Sequence, residues 1–202
     1  MSYLSQIQVG KAEAARLRLR DTYAWHQQLW FAFPDRDGQR RSFLFRVDDK
    51  YELFRVLLLS AATPAPQGWG TWEVRRIADA FLAHDRYRFQ VRANPTVKRV
   101  VWDKSAGFRK NGRRTGIYDA NALRAWIEHK GQQSGFEVLE CSAGPAIQSY
   151  FVKDARRGKH ISVDFQGVLR VNDFATFEKA FHTGIGPAKA FGFGLLMLQP
   201  VA

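Results

Sequence analysis

The stretch from His160 to Val171, HISVDFQGVLRV, has the clearest strand pattern in the chain. Its apolar residues fall on one side of an extended backbone, and they are Ile161, Val163, Phe165, Leu169 and Val171. A period of two residues predicts a β-strand with one buried face, and only Gly167 interrupts the pattern.

The segments on either side of this strand predict further elements. Strands are predicted at Val97 to Trp102, Phe136 to Glu140, Ile147 to Val152 and Leu195 to Val201. Asp119 is a suitable N-cap for a helix that runs to about Lys130. Asn172 or Asp173 caps a short helix with phenylalanines at helical spacing, Phe174, Phe177 and Phe181.

The first half of the chain shows a similar alternation. Its predicted strands are Tyr3 to Val9, Ser42 to Val47, Leu53 to Leu59 and Tyr87 to Ala93, and its predicted helices run from Asp21 to Pro34 and from Trp72 to Ala83. Both halves then follow the order βαββαβ, in which two helices cover one face of an antiparallel sheet. The predicted fold is α+β, with two tandem ferredoxin-like (RRM-like) domains at residues 1–95 and 96–202.

The charge of the chain indicates a polyanionic partner. It has 31 Lys and Arg against 19 Asp and Glu, a formal net charge of +12, and an isoelectric point near 10.2. No apolar run is long enough to span a bilayer, no export signal is visible, and the basic clusters lie in glycine-rich stretches instead of a long amphipathic helix. Nucleic acid is therefore favoured over a membrane surface.

Metal and disulfide chemistry find little support in the sequence. The single cysteine, Cys141, excludes an internal disulfide and a zinc-thiolate site, and a reducing cytosol is the simplest location. The five histidines include no i,i+4 pair, and the HExxH motif is absent. We therefore expect neither a metal ion nor a cofactor.

Two basic clusters account for much of the excess charge. The first contains Lys98, Arg99, Lys104, Arg109, Lys110, Arg113 and Arg114, and the second, at a predicted hairpin tip around Gly158, contains Lys153, Arg156, Arg157, Lys159 and His160. Cations on glycine-flexible backbone can contact the phosphates of an RNA stem. The simpler alternative is that each cluster is a solvated face. Arg88 and Arg92 are also predicted on an exposed strand face.

The segment from Gly184 to Gly194, GIGPAKAFGFG, is an unusual glycine-rich loop. It matches neither a dinucleotide fingerprint nor a P-loop. Its four glycines, Gly184, Gly186, Gly192 and Gly194, would let backbone N–H groups approach a phosphate chain, with Lys189 adding positive charge. The alternative is a tight turn in which glycine relieves steric clashes.

His26 is the candidate catalytic residue. On the predicted first helix, Tyr23, His26 and Trp30 share a face, while Trp25, Leu29 and Phe33 can fill the buried side. An imidazole can take a proton from a ribose 2′-hydroxyl or give one to a departing 5′-oxygen. Tyr23 could contact the phosphate or orient the nucleophile. Taken alone, a helix histidine is more often a surface or packing residue.

Four segments resemble the CasE family of CRISPR RNA-processing endoribonucleases of type I-E systems, in the RAMP superfamily. They are DTYAWHQQLWFAFP from Asp21, SFLFRV from Ser42, YRFQVRANPTVKR from Tyr87 and GIGPAKAFGFGLLML from Gly184, in family order. The resemblance implies two tandem ferredoxin-like domains, with His26 as the catalytic histidine and Tyr23 beside it. It further implies that Gly184 to Gly194 is the family's glycine-rich loop and Lys153 to His160 its arginine-rich hairpin. The stretch from Arg109 to Arg114 has no motif match.

This resemblance implies a cytoplasmic, metal-independent endoribonuclease. Such an enzyme cuts precursor crRNA at the base of the CRISPR repeat stem-loop and leaves a 2′,3′-cyclic phosphate. The implied partners are the repeat RNA, the crRNA product and the other subunits of the Cascade complex, with no membrane partner. The alternative from a different class is a non-catalytic RNA-binding module of a CRISPR ribonucleoprotein, in which His26 is incidental.

Overall fold

The computed structural model describes residues 1–34, 42–103, 108–153 and 156–201, with side chains described outside residues 99–113 and 153–157. The fold is α+β with two larger antiparallel sheets and a separate two-stranded one, and the main path of each larger sheet follows the ferredoxin-like strand order. The first contains β1 (Tyr3–Gly10), β2 (Phe43–Asp49), β3 (Leu53–Ser60) and β4 (Thr71–Arg76), in the order β2-β3-β1-β4.

The predicted helix from Trp72 to Ala83 is wrong. The segment forms β4, which pairs with the free edge of β1 through Ile7 and Trp72, followed by a short 3-10 helix, Asp79–Leu82. Trp72 and Val74 are half-buried and alternate with exposed residues, which is the period of a strand. In so short a segment this period does not identify a strand unless the neighbouring strand is known. Pairing with β1 outweighs the local helical preference.

Two helices connect β1 to β2. The sequence interpretation missed the first, α1 (Lys11–Arg16), which buries Ala14. The second, α2 (Thr22–Trp30), begins at the predicted cap Asp21 but ends before Pro34, because the backbone tightens into a turn after Trp30.

The second sheet contains a strand that the sequence predicts in the first half. It contains β5 (Arg86–Ala93), β8 (Phe136–Ala143), β10 (Arg156–Val171) and β11 (Leu196–Pro200), in the order β11-β5-β10-β8. With α3 (Ala120–Gln133) and α4 (Phe174–Thr183), the second unit reads βαββαβ from β5 onward. A domain boundary at residue 95 stays a prediction, but the strand before it, expected to close the first unit, opens the second.

Two hairpins extend from the second unit. The first joins β6 (Thr96–Asp103) to β7 (Phe108–Gly116), so the predicted basic loop is largely a strand. The second joins β9 (Ile147–Lys153) to the start of β10. The sequence predicts Gly158 at the hairpin tip, but this residue lies in the ladder opposite Phe151, and a Cβ at this position would collide with the Phe151 ring.

An ionic cluster fixes the two units against each other. Asp48 of β2 is 6% exposed and bonds Arg46 and Arg55 of its own sheet at 2.7 Å each. Arg92 of β5 approaches Asp48 at 3.2 Å, pairs with Asp164 of β10 at 2.8 Å and donates to the Val47 carbonyl oxygen at 2.7 Å. Arg92 therefore joins the units, and the prediction that it lies exposed is wrong.

In the described part of the chain, no helix is long and apolar enough to cross a membrane.

Candidate functional site

The first turn of α2 positions the predicted catalytic pair. The Asp21 Oδ1 atom accepts hydrogen bonds from the N–H groups of Tyr23 at 3.0 Å and Ala24 at 2.9 Å, so the helix start is fixed. The predicted buried side is confirmed, with Trp25, Leu29 and Phe33 in the core. Tyr23, His26 and Trp30 lie together, half-buried, on the other side.

The His26 imidazole lies in an aromatic pocket. Its ring centroid is 5.7 Å from that of Phe43 and 6.1 Å from that of Phe45, to which it is nearly parallel. The Trp30 indole N–H donates to His26 Nε2 at 3.1 Å. Because an indole nitrogen only donates, Nε2 holds its lone pair there, and Nδ1 carries the ring proton of neutral His26.

Tyr23 connects this pocket with the glycine-rich loop. Its ring centroid lies 6.5 Å from that of His26 and 6.1 Å from that of Phe191. Phe191 ends a short 3-10 helix, Lys189–Phe191, against which α2 packs. The structure thus brings the predicted catalytic pair to one end of the predicted loop.

The four loop glycines have conformational reasons to be glycine. Gly184, Gly186, Gly192 and Gly194 all have φ between 75° and 86°. A Cβ on Gly194 would also lie 2.5 Å from the Ile185 carbonyl oxygen. The N–H of Gly194 donates to the Arg92 carbonyl oxygen and that of Gly184 to the Ala180 carbonyl oxygen, both at 2.8 Å, so these two donors are already engaged. The steric alternative thus explains much of the motif.

The β9–β10 hairpin packs on the same loop. The His160 ring stacks on Phe151 at 4.5 Å and contacts Phe191 at 4.6 Å and Phe193 at 5.4 Å. Burial lowers the pKa of His160 to about 4, so the residue is neutral near pH 7 and adds no charge to its basic cluster. Lys159 is exposed, while the side chains of Lys153, Arg156 and Arg157 lie outside the described residues.

A cationic groove of about 640 Å³ lies on the helix side of the second unit. We call it the lysine groove, and it runs between α3, α4, the glycine loop and the base of the β6–β7 hairpin. Its charged residues are Lys98, Arg114, Lys130, Lys179 and Lys189, and no carboxylate stands among the described residues that line it. A cationic channel without acids suits a phosphate backbone.

The lysine groove brings together residues predicted separately, in the first basic cluster and in the glycine-rich loop, and it contains two lysines that were not predicted. Lys98, Arg114 and Lys189 were predicted, whereas Lys130 and Lys179 were missed because helical spacing does not show which helix face meets a groove. The side chains of Arg99, Arg109, Lys110 and Arg113 lie outside the described residues, and Lys104 lies wholly outside them.

The short helix Lys189–Phe191 contributes one residue to the lysine groove and another to the surroundings of Tyr23. Lys189 lines the groove, and Phe191 contacts Tyr23 two residues later. One short segment therefore joins the cationic groove to an imidazole and a phenol, groups suited to proton transfer and phosphate contact. This arrangement fits RNA cleavage by the ribose's own hydroxyl.

Known proteins resemble this chain over nearly its full length. The family model described as "CRISPR associated protein" matches residues 2–200. The CRISPR system Cascade subunit CasE of Escherichia coli strain K12 is 34% identical, and the match covers 98% of this chain and all of CasE. The CRISPR-associated endoribonuclease Cse3 of Thermus thermophilus is 32% identical, and that match covers 94% of this chain and 95% of Cse3.

Solved structures show the same fold. The crystal structure of the CRISPR-associated protein Cas6e from Escherichia coli has a TM-score of 0.77 at 30% identity, covering 98% of this chain and all of that one. Thermus thermophilus Cse3 bound to an RNA representing a pre-cleavage complex has a TM-score of 0.78 at 24% identity, covering 98% and 99%. The chain belongs to the CRISPR-associated protein family that includes CasE and Cse3.

Proposed function

We propose that the protein is a metal-independent endoribonuclease that binds the stem-loop of CRISPR repeat RNA and cuts precursor crRNA. The observation that carries the proposal is that the short helix Lys189–Phe191 joins the two sites, since Lys189 lines the lysine groove and Phe191 contacts Tyr23 beside His26. The endoribonuclease name of the Thermus relative supports the reaction class.

The proposed reaction is an internal transesterification. The ribose 2′-oxygen attacks the adjacent phosphorus and loses its proton, and the bond from phosphorus to the 5′-oxygen breaks. That oxygen gains a proton, so the products carry a 2′,3′-cyclic phosphate and a 5′-hydroxyl, and no water is consumed. His26 moves a proton to or from one of these oxygens, and the Tyr23 hydroxyl contacts the phosphate.

The basic residues hold the RNA. The lysine groove binds the phosphates along the RNA stem. The β9–β10 hairpin, with Lys153, Arg156, Arg157 and Lys159, enters a groove of the RNA stem itself. The first cluster, Lys98, Arg99, Arg109, Lys110, Arg113 and Arg114, adds charge along the β6–β7 hairpin. Gly186 and Gly192 let the loop approach the backbone closely, while Gly184 and Gly194 set its shape.

The product is retained in a larger assembly. The Escherichia coli relative is a subunit of Cascade, which supports retention of the crRNA and binding to other Cascade subunits by this chain. That assembly also supports a cytoplasmic location.

The competing function, RNA binding without cleavage, requires a surface on which bases stack. Such readout in RRM-like domains uses aromatic residues on the open sheet face. Here that face carries Arg88, Gln90 and Gln166, whereas Tyr87 and Phe89 of the same strand are buried on the other side. The geometry supports cleavage better.

A labelled repeat stem-loop distinguishes the two functions. We expect a single cut that persists in EDTA, and a product that carries a 2′,3′-cyclic phosphate. A 2′-deoxy substitution before the cut removes the nucleophile and should block cleavage while binding remains. Normal cutting of the deoxy substrate would contradict the mechanism, and binding without any cut would favour the non-catalytic module.

A further inference from the structure

Asp21 has a second partner beyond the helix that it caps. While Oδ1 caps α2, Oδ2 accepts a hydrogen bond from the Val152 N–H at 3.0 Å. Val152 lies on β9, 131 positions further along the chain. One carboxylate therefore joins the first turn of the helix that carries His26 to the hairpin with the basic tip.

The outer edge of β9 explains why the bond forms. Among the described strands, β9 pairs only with β10, and α2 contacts β9. A strand edge without a neighbouring strand presents backbone N–H groups, and the Asp21 carboxylate supplies a charge-assisted acceptor for that of Val152.

Aromatic packing reinforces the same connection. The ring centroid of Phe151, the residue before Val152, lies 4.3 Å from that of Phe191, which in turn lies 6.1 Å from that of Tyr23. A shift of β9 would thus reach the start of α2 by two routes, one through the Asp21 hydrogen bond and one through the rings.

The other aspartate caps act locally. Asp119 accepts from the Ala122 N–H at 2.8 Å, within α3. Asp173 accepts from the N–H of Thr176 at 3.0 Å and from its hydroxyl at 2.7 Å, within α4. Asp119 therefore provides a matched control for Asp21.

We propose that Asp21 is a positioning residue that couples the hold of the β9–β10 hairpin on the RNA stem to the placement of Tyr23 and His26. The inference rests on the proposed function, because it assumes that the hairpin binds the stem and that His26 acts at the scissile phosphate. The hydrogen bond from the Val152 N–H to Asp21 fixes the distance between the hairpin and the first turn of α2. A misplacement of about 1 Å at a reacting centre costs roughly 100-fold in rate.

The substitution Asp21→Asn separates capping from coupling. Asparagine caps a helix about as well as aspartate, so its amide oxygen can replace Oδ1. Its NH₂ group then faces the Val152 N–H, and two donors cannot bond. We expect single-turnover cleavage at saturating protein to slow by about 10- to 100-fold, while stem-loop affinity is retained. Asp119→Asn should change neither quantity.

Hydrogen exchange reports on the coupling without cleavage. In Asp21→Asn, the Val152 amide should exchange faster than in the unchanged protein, and in Asp119→Asn it should not. Asp21→Ser, which keeps a cap but is too short for the bridge, should reproduce both effects of Asp21→Asn if the asparagine variant folds poorly.

Three results would overturn the inference. They are cleavage by Asp21→Asn at the rate of Asp119→Asn, a slower reaction fully restored by saturating protein, and unchanged exchange at Val152. Normal cleavage by His26→Ala would instead refute the proposed function, and the exchange data would still decide whether Asp21 couples the two elements.

Discussion

The His26 pocket and the lysine groove are built from opposite kinds of side chain. The pocket belongs to the first unit, where rings from α2 and β2, including Trp30, Phe43 and Phe45, fix one imidazole at short range. The groove belongs to the second unit and consists of cations on several elements. Packing gives positional accuracy, whereas charge gives attraction that tolerates movement. Loss of the imidazole should therefore slow cutting without weakening binding, and loss of single groove charges should weaken binding without slowing cutting.

The largest expected effect on cleavage comes from removing the His26 imidazole. His26→Ala should slow cleavage by about 100- to 10,000-fold, because proton transfer is lost, and should leave stem-loop affinity nearly unchanged. His129→Ala, on an exposed face of α3, is the control and should cleave normally. Single-turnover kinetics and a binding titration measure the two effects. A parallel loss of affinity in His26→Ala would show that the pocket also holds the RNA.

The comparison also requires that the two units keep a fixed relation. Asp48→Ala should lower the free energy of unfolding by about 3 kcal/mol, because it leaves Arg46 and Arg92 largely buried without this partner. Asp79→Ala breaks an exposed pair with Arg76 and should cost less than about 1 kcal/mol. Urea unfolding compares them, and equal costs would mean that the cluster does not hold the units.

The same cluster has a defined pH dependence. Burial raises the pKa of Asp48, but its bonds to Arg55 and Arg46 outweigh this effect and hold the pKa below its usual value. Its stabilising contribution is therefore present above the ordinary carboxyl pKa and is lost as the pH falls through the lower folded value.

The pKa of His160, whose ring packs against Phe151 and Phe191, gives a second test by pH. Its folded pKa of about 4 lies below the ordinary 6.5, so the unfolded chain binds the extra proton in that interval. The free energy of unfolding should fall by on the order of 2 kcal/mol between pH 6.5 and pH 4, after allowance for partial exposure. His160→Phe should remove this part of the pH dependence in urea titrations. An unaltered profile would mean that His160 titrates normally.

The smallest effects should come from single groove lysines. Lys130→Ala and Lys179→Ala should each weaken stem-loop binding by a few fold and reduce the slope of log affinity against log salt by about 0.7 to 0.9, with cleavage at saturation unchanged. Lys50→Ala, exposed and outside the groove, should change neither. A fall in the saturated rate would show that the groove also positions the scissile phosphate.

Local chemistry was sufficient to predict the elements whose signals are short in range. Asp21 caps α2, the predicted face of that helix holds His26 beside Tyr23, and the strand at His160 to Val171 is present as part of β10. These features depend on capping bonds and on side-chain periodicity, both of which are set by neighbouring residues.

The sequence by itself determined a basic α+β chain with an imidazole on a capped helix and a strongly patterned long strand. Tertiary structure alone decided that Thr71–Arg76 pairs with β1, that Arg86–Ala93 joins the second sheet, and that Lys130 and Lys179 share a groove. It also decided that Arg92 is an ion-pair partner and that His160 is neutral. The reason is physical: strand pairing, burial and charge depend on residues distant in the chain, which no local pattern specifies.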